Sequence, residues 1–208
     1  MKVGVLASGE GSNLQAILDT VHGREGVEVV AVGSDKPEAR ALERARGAGV
    51  AARAFARAEF EDRRARDLAM ADWLGAAGVE LVVLAGYMQL LDPGFLARFP
   101  QRVINVHPAL LPAFPGLEAV EQALAYGVKL FGVTVHFVDE GVDSGPIISQ
   151  RAVELPDATD PRAVRDALRP IEHALLPEAV RLIAAGAVAF DPEHPRRVRV
   201  GPLYGGAG

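Results

Sequence analysis

The chain has 208 residues, 50% of them hydrophobic, and a formal net charge of −5 at pH 7. That length suits one well-buried domain, and the acidic balance argues against a nucleic-acid partner, which would need a basic face for phosphates. Because the sequence has no cysteine, disulfides, a thiolate nucleophile and a Cys-ligated zinc site are excluded.

The apolar runs at 3–7, 29–32 and 81–85 are far too short to span a bilayer, so we expect a soluble protein with no membrane partner. The N-terminus starts directly with a strand-like run. It lacks the basic region, long apolar stretch and cleavage site of a signal peptide, which predicts a cytoplasmic location.

Apolar runs alternate with amphipathic segments through the first half. Strands are predicted at KVGVLAS, VEVVAVGS and ELVVLAG, and helices at NLQAILDTV, EARALERARGAG and a stretch ending at Phe99. VAARAFA predicts a short edge strand, and a long helix follows from Phe60 to about Gly78. This rhythm is typical of a Rossmann-like α/β fold: a mostly parallel, twisted sheet with helices on both faces.

The second half predicts three strands close in sequence, at RVINVH, LFGVTVHFV and PIISQRAVEL. Some of them are expected to pair antiparallel, giving a mixed C-terminal part. A last helix is predicted from Pro161 to Ala185. The tail from residue 191 is expected to be loosely ordered, with its arginines 196, 197 and 199 solvated. We therefore predict one domain over 1–185, with 186–208 packed on it or trailing from it.

The glycine-rich turn SGEGSNL, residues 8–14, falls between the first strand and the first helix. Small residues there let backbone N–H groups and the helix dipole face an anion, which predicts a phosphate site. Alternatively, Ser12 or Asn13 merely caps the helix. Asp35, after the second strand, would suit a dinucleotide's ribose, but Leu14 replaces the third glycine of that fingerprint. A monophosphate is therefore favoured.

An asparagine and a histidine lie two residues apart in RVINVHP. Because side chains alternate along a strand, Asn105 and His107 face the same way, and Pro108 places His107 at the strand's carboxyl end. An aspartate such as Asp143, in a glycine-rich loop, would fix the tautomer of a neighbouring histidine and favour its imidazolium form. Taken singly, the three also read as a turn former, a core histidine and a loop residue.

Taken together, SGEGSNL, VVLAGYMQLL, NVHPALLPAFPG and GVTVHFVDEGVDSGPII occur in an order and spacing that resembles the phosphoribosylglycinamide formyltransferases of the formyltransferase superfamily. The resemblance extends to about residue 185. It implies transfer of a formyl group from 10-formyltetrahydrofolate, as co-substrate, to the glycyl amine of glycinamide ribonucleotide in purine biosynthesis, without a metal. Small-molecule substrates and a monomer or homodimer are expected.

The resemblance also implies roles for individual residues. Asn105, His107 and Asp143 would be catalytic, and the ribonucleotide would be bound by Gly11, Ser12, Asn13, Arg169 and Glu172. Folate contacts would come from Arg63, the segment Met88, Gln89, Leu90 and Leu91, Asn105, and the loop Asp139, Glu140, Gly141, Val142 and Asp143. Arg63 would meet the folate's acidic tail.

Three places depart from the family pattern: Gln89 where arginine is frequent, Ala113 where lysine is frequent, and EAVEQAL where a His-rich or polar segment is common. Other superfamily members remain as alternatives, including methionyl-tRNA formyltransferases, 10-formyltetrahydrofolate hydrolases and sugar-nucleotide formyltransferases. The tRNA enzymes and the hydrolases normally carry an added domain, and neither class normally has GSN after its first strand. A non-catalytic nucleotide-binding module would explain the glycine turn but not Asn105, His107 and Asp143.

Overall fold

The computed structural model describes residues 1–201. They form two compact units, one from Met1 to Asn105 and one that begins at Val106.

Parallel strands build the first unit, and their apolar runs are buried. The strands are β1 (Lys2–Leu6), β2 (Glu28–Ser34), β3 (Ala51–Ala54), β4 (Leu81–Leu84) and β5 (Val103–His107), whose last two residues belong to the second unit. They pair in the order β3-β2-β1-β4-β5, with β3 at the edge as predicted. This is the order of a doubly wound nucleotide-binding sheet, and the order reverses between β1 and β4.

The helices of the first unit are α1 (Ser12–Thr20), α2 (Arg40–Gly47), α3 (Arg63–Ala76) and the short α4 (Pro93–Leu96), with a 3₁₀ turn at Arg57–Glu59. Helix α3 begins three residues later than predicted because the Asp62 side chain caps it, accepting from the Ala65 N–H at 2.7 Å.

The helix predicted to run on to Phe99 is wrong for most of its length, because residues 88–91 are irregular and α4 has a single turn. Asp92 caps α4 by accepting from the Gly94 N–H at 2.8 Å, and Pro93 occupies its first position. Proline at that position suits the start of a helix and not its interior, so the helix begins there.

The second unit contains α5 (Ala119–Tyr126), β6 (Leu130–Phe137), β7 (Ile147–Glu154), α6 (Pro161–Ala184), β8 (Val188–Phe190) and β9 (Val198–Val200). Strands β6 and β7 pair antiparallel, as predicted. Asp160 caps α6 by accepting from the N–H groups of Arg162 and Ala163 at 3.0 and 3.3 Å. Helix α5 was not predicted.

The tail is more ordered than predicted as far as residue 201. Strands β8 and β9 form an antiparallel hairpin, and Nη2 of Arg199 lies 2.9 Å from Oδ2 of Asp191. Arg196 is exposed, yet its Nη2 donates to the Ser144 carbonyl at 2.7 Å. Arg196 and Arg199 are both exposed, as expected of a solvated surface, and each also donates a hydrogen bond to a defined partner. Residues 202–208 of the predicted tail lie outside the described residues.

The predicted class is confirmed: the fold is α/β, mostly parallel and Rossmann-like, with an antiparallel C-terminal part. The division into 1–185 and 186–208 stays a prediction. Within residues 1–201, no helix is both long and apolar enough to cross a membrane.

Candidate active site

The glycine turn after β1 leads straight into α1, and its geometry explains the glycine at position 11. Gly11 is the N-cap of α1, with φ at 73°, a left-handed conformation that favours glycine. A Cβ on it would lie 2.8 Å from the Cα of Ala41. Ser12 and Asn13 are the first helical residues and not its N-cap, so the capping alternative fails. The turn keeps the shape of an anion site at a helix N-terminus.

The loops after β1 and β4 meet at the point where the strand order reverses. The N–H of Ser8 donates to the Gly86 carbonyl at 3.0 Å, and the N–H of Met88 donates to Oγ of Ser8 at 2.9 Å. Ligands of open α/β sheets bind at such switch points. The glycine-rich turn of residues 8–14 and the segment from Met88 to Leu91 are therefore neighbours within the first unit.

The segment from Met88 to Leu91 presents apolar side chains to solvent, with Met88 59% and Leu90 56% exposed. Directly after this segment, the Asp92 N–H donates to Oδ2 of the buried Asp67 of α3 at 2.8 Å. Oδ1 of Asp67 also accepts two hydrogen bonds from the buried Arg66. Burial raises the pKa of Asp67, although these hydrogen bonds act to lower it.

Arg63 is the exposed first residue of α3, one turn before Asp67, so its guanidinium is accessible to an anionic ligand.

Asn105 lies near the end of β5, where it is paired in register with Leu84 of β4. Two residues further along the same strand is His107, so the strand's alternation gives both side chains one direction, as predicted.

His107 is 4% exposed, and both of its ring nitrogens face oxygen acceptors. Nδ1 lies 3.3 Å from Oδ2 of Asp143, and Nε2 lies 2.8 Å from the carbonyl oxygen of Phe114. A neutral imidazole has one N–H and donates once, whereas the imidazolium donates twice. Both contacts are hydrogen bonds donated by His107 only in the ring form that carries two protons.

Asp143 has φ at 49° and lies between two histidines. Besides His107, its Oδ1 lies 3.5 Å from Nε2 of His136, and its Oδ2 accepts from the Gly116 N–H at 2.7 Å. Burial acts to raise the pKa of this carboxyl. The His136 hydrogen bond, the Gly116 N–H and the positive charges of His107 and His136 outweigh burial, and the net effect lowers the pKa. Asp143 is thus held as a carboxylate.

His136 is a site residue that sequence reasoning missed. It is 1% exposed in β6, and its Nδ1 lies 2.8 Å from the Phe137 carbonyl oxygen. The available signal was a histidine inside a mostly apolar strand, seven residues before Asp143. Because β6 is buried on both faces, that position reads equally well as core.

The loop from Asp139 to Asp143 is shaped by its own residues. Oδ1 of Asp139 accepts from the Gly141 N–H at 3.1 Å and from the Ser144 hydroxyl. A Cβ on Gly145 would lie 1.8 Å from the Phe137 carbonyl oxygen, so only glycine fits there. Val142 is 48% exposed at the tip.

The two predicted ligands on α6 lie within one turn of each other. Arg169 is exposed and pairs with Asp166, with Nη2 to Oδ1 at 3.0 Å. Glu172 is half-buried. Next to it, burial lowers the pKa of His173, and the charge of Arg169 lowers it further.

Strand β5 thus carries Asn105 and His107, and the Asp143 carboxylate contacts that histidine. Residues 1–180 match the family model described as formyl transferase. The chain belongs to the formyl transferase family.

Its relatives place it among the phosphoribosylglycinamide formyltransferases. The enzyme of that name from Mycobacterium tuberculosis is 46% identical over 184 residues, 88% of this chain and 85% of the relative. The Bacillus subtilis enzyme is 39% identical, covering 86% of this chain and 93% of its own. Glycinamide ribonucleotide transformylase 1 from Symbiobacterium toebii has a similar crystal structure, with a TM-score of 0.92 and 49% identity over 97% of this chain and 94% of its own.

Proposed function

We propose that this protein transfers the formyl group of 10-formyltetrahydrofolate to the glycyl amine of 5′-phosphoribosylglycinamide. The observation that carries the proposal is His107, held between the Asp143 carboxylate and a backbone carbonyl at the end of the strand that also carries Asn105. This arrangement presents hydrogen-bond donors and a positive charge, which are what an acyl-type transfer needs where negative charge develops.

In the reaction, the amine nitrogen attacks the formyl carbon, and the carbonyl electron pair moves to the oxygen. The Asn105 amide and the His107 imidazolium donate to that oxygen. Collapse of the tetrahedral species breaks the bond to N10 of the folate. The proton lost by the attacking nitrogen is delivered to N10, which leaves tetrahydrofolate and the formylated ribonucleotide.

For this role, Nε2 of His107 has to exchange its present acceptor. It contacts the Phe114 carbonyl in this structure, so the formyl oxygen takes the place of that carbonyl when substrate binds. Asp143 retains the opposite nitrogen. It keeps the ring charged and helps a water molecule carry the proton between the two nitrogens.

The ribonucleotide phosphate binds the turn at Gly11, Ser12 and Asn13, supported by the helix N-terminus directly behind it. Glu172 accepts from the ribose hydroxyls, and Arg169 adds a positive charge one turn away on α6. The carboxylate of Glu172 suits a diol because each of its oxygens accepts a hydrogen bond.

The folate binds the segment from Met88 to Leu91 and the loop from Asp139 to Asp143. Exposed apolar side chains at Met88, Leu90 and Val142 suit packing on a flat pterin ring, whose polar edge is read by backbone groups. Arg63 binds the acidic tail of the folate. Gln89 supplies no charge there, which leaves that tail more dependent on Arg63.

The protein acts in the cytoplasm on small molecules, as a monomer or homodimer. The test is an absorbance assay with a 10-formylfolate donor and glycinamide ribonucleotide. Deformylation that requires the ribonucleotide supports the transferase. Equal deformylation without the ribonucleotide indicates a hydrolase, and ribonucleotide binding with no deformylation indicates a non-catalytic nucleotide-binding module.

A further inference from the structure

Arg44, on α2, donates hydrogen bonds to the glycine-rich turn of residues 8–14 and to α1. Nε of Arg44 donates to the Glu10 carbonyl at 2.8 Å, and its Nη2 donates to Oε1 of Glu10 at 2.8 Å. Its Nη1 donates to Oε1 of Gln15 at 3.0 Å. Gln15 lies one turn inside α1, so this side chain bridges the residue before Gly11 and the helix after it.

The backbone of α2 reinforces the same contact. The N–H of Ala41 donates to the Gly9 carbonyl at 3.1 Å, and the close approach of Gly11 to Ala41 leaves no room for a side chain. The Gln15 amide is itself oriented, because its Nε2 donates to Oδ1 of Asp19 at 2.8 Å. Each of the three Arg44 donors therefore has a defined acceptor.

The Arg44 contact also affects the charge next to the turn. Glu10 places a carboxylate beside a turn proposed to bind a phosphate, and like charges repel. Oε1 of Glu10 is 2.8 Å from both Arg40 and Arg44, so the two guanidinium groups compensate that charge. The side chain of Arg44 is 22% exposed and that of Arg40 is 60% exposed, so water screens the Arg44 contact less.

We infer that Arg44 is a positioning residue for phosphate binding. It contacts no reacting atom; it fixes the Glu10 carbonyl relative to α1 so that the N–H groups of Gly11 to Asn13 keep their direction. The planar fork of arginine can serve three acceptors in fixed directions, which the single ammonium group of lysine cannot do. This inference rests on the proposed function, which places the ribonucleotide phosphate at that turn.

The test compares Arg44→Met with Arg40→Met as the matched control, because Arg40 reaches the Glu10 carboxylate but neither the turn backbone nor Gln15. For Arg44→Met we expect the KM for glycinamide ribonucleotide to rise about tenfold, the scale for losing charge-assisted hydrogen bonds. The KM for the folate and kcat at saturation should stay near those of the unchanged protein. For Arg44→Lys, the KM for glycinamide ribonucleotide should lie between those of Arg44→Met and the unchanged protein.

Hydrogen exchange in the ligand-free protein gives a readout that needs no turnover. Backbone amides over residues 9–15 should exchange faster in Arg44→Met and at the original rate in Arg40→Met. The inference is overturned if Arg44→Met leaves both the KM and this exchange unchanged, if it lowers kcat without raising the KM, or if Arg40→Met has the same effects.

Calorimetry with ribose 5-phosphate separates this inference from the proposed function. If the unaltered protein shows no formyl transfer but Arg44→Met weakens ribose 5-phosphate binding, the proposed reaction fails and the positioning role stands. If the unaltered protein transfers formyl groups and Arg44→Met leaves phosphate affinity unchanged, the positioning role alone is overturned.

Discussion

His107 and Asp143 are joined by a contact of 3.3 Å between Nδ1 and Oδ2, made from the side of the ring opposite to the Phe114 carbonyl. With an acceptor at each nitrogen, the ring satisfies both contacts as a donor only when it carries two protons. The carboxylate oxygen and the backbone carbonyl oxygen therefore lie at opposite nitrogens of the same ring.

This pairing predicts the protonation state of the ring. In ¹⁵N NMR spectra at neutral pH, both nitrogens of His107 should show shifts of an imidazolium. In Asp143→Asn, the substituted amide keeps the size but removes the charge, so the ring should shift towards one neutral tautomer. A neutral ring in the unaltered protein would contradict this interpretation of the geometry.

The lowered pKa of Asp143 predicts a pH-dependent contribution to stability. Its ordinary value is 3.8, and the native value lies below it. The unfolded state therefore takes up the proton first as the pH falls, so the carboxylate stabilises the native state above about pH 4 and loses that contribution as the pH passes through the native pKa. Urea unfolding of the unaltered protein and Asp143→Asn should differ more at pH 7 than at pH 3. A difference that does not vary with pH would refute this.

A charge placed in the phosphate turn tests substrate binding better than added bulk. A larger side chain at Gly11 would meet Ala41 and strain a left-handed residue, so a fault in folding would be confused with a fault in binding. Ser12→Asp adds a negative charge at the first position of α1, which suits the helix dipole but repels a phosphate. We expect a raised KM for the ribonucleotide with an unchanged KM for the folate, and Ser12→Asn as the neutral control should have little effect. Equal rises for both substrates would count against the assignment.

A folate analogue should protect two separate segments from hydrogen exchange, residues 88–91 and residues 139–143. The first presents exposed apolar side chains beside Ser8, and the second forms a loop held by Asp139. Ribose 5-phosphate serves as the control ligand and should protect residues 9–13 instead. If the folate analogue protects only residues 9–13, the folate assignment fails.

Much of this site follows from strand periodicity. The alternation in β5 and the following proline are enough to predict that Asn105 and His107 share a face at the carboxyl end. Likewise, the glycine-rich turn at a strand-to-helix junction predicts an anion site. Both features depend only on residues that are neighbours in sequence.

Other features depend on partners distant in sequence. The hydrogen bond from the Asp92 N–H to Asp67 joins the end of the irregular segment before α4 to α3, and the two residues are far apart in sequence. In the C-terminal hairpin, Arg199 contacts Asp191 at 2.9 Å, a pairing that the sequence pattern does not indicate. His136 was not predicted, because apolar and polar residues do not alternate in a strand that is buried on both faces. The pattern therefore does not separate a functional side chain from a core side chain.

The most direct test of the proposed mechanism is kcat for formyl transfer by Asp143→Asn. We expect kcat to fall by a factor on the order of 10² to 10⁴, the range for losing positioned acid–base help, with the KM for the ribonucleotide close to that of the unaltered protein. An unchanged kcat would contradict it, because Asp143 would then be a loop residue with no part in the chemistry.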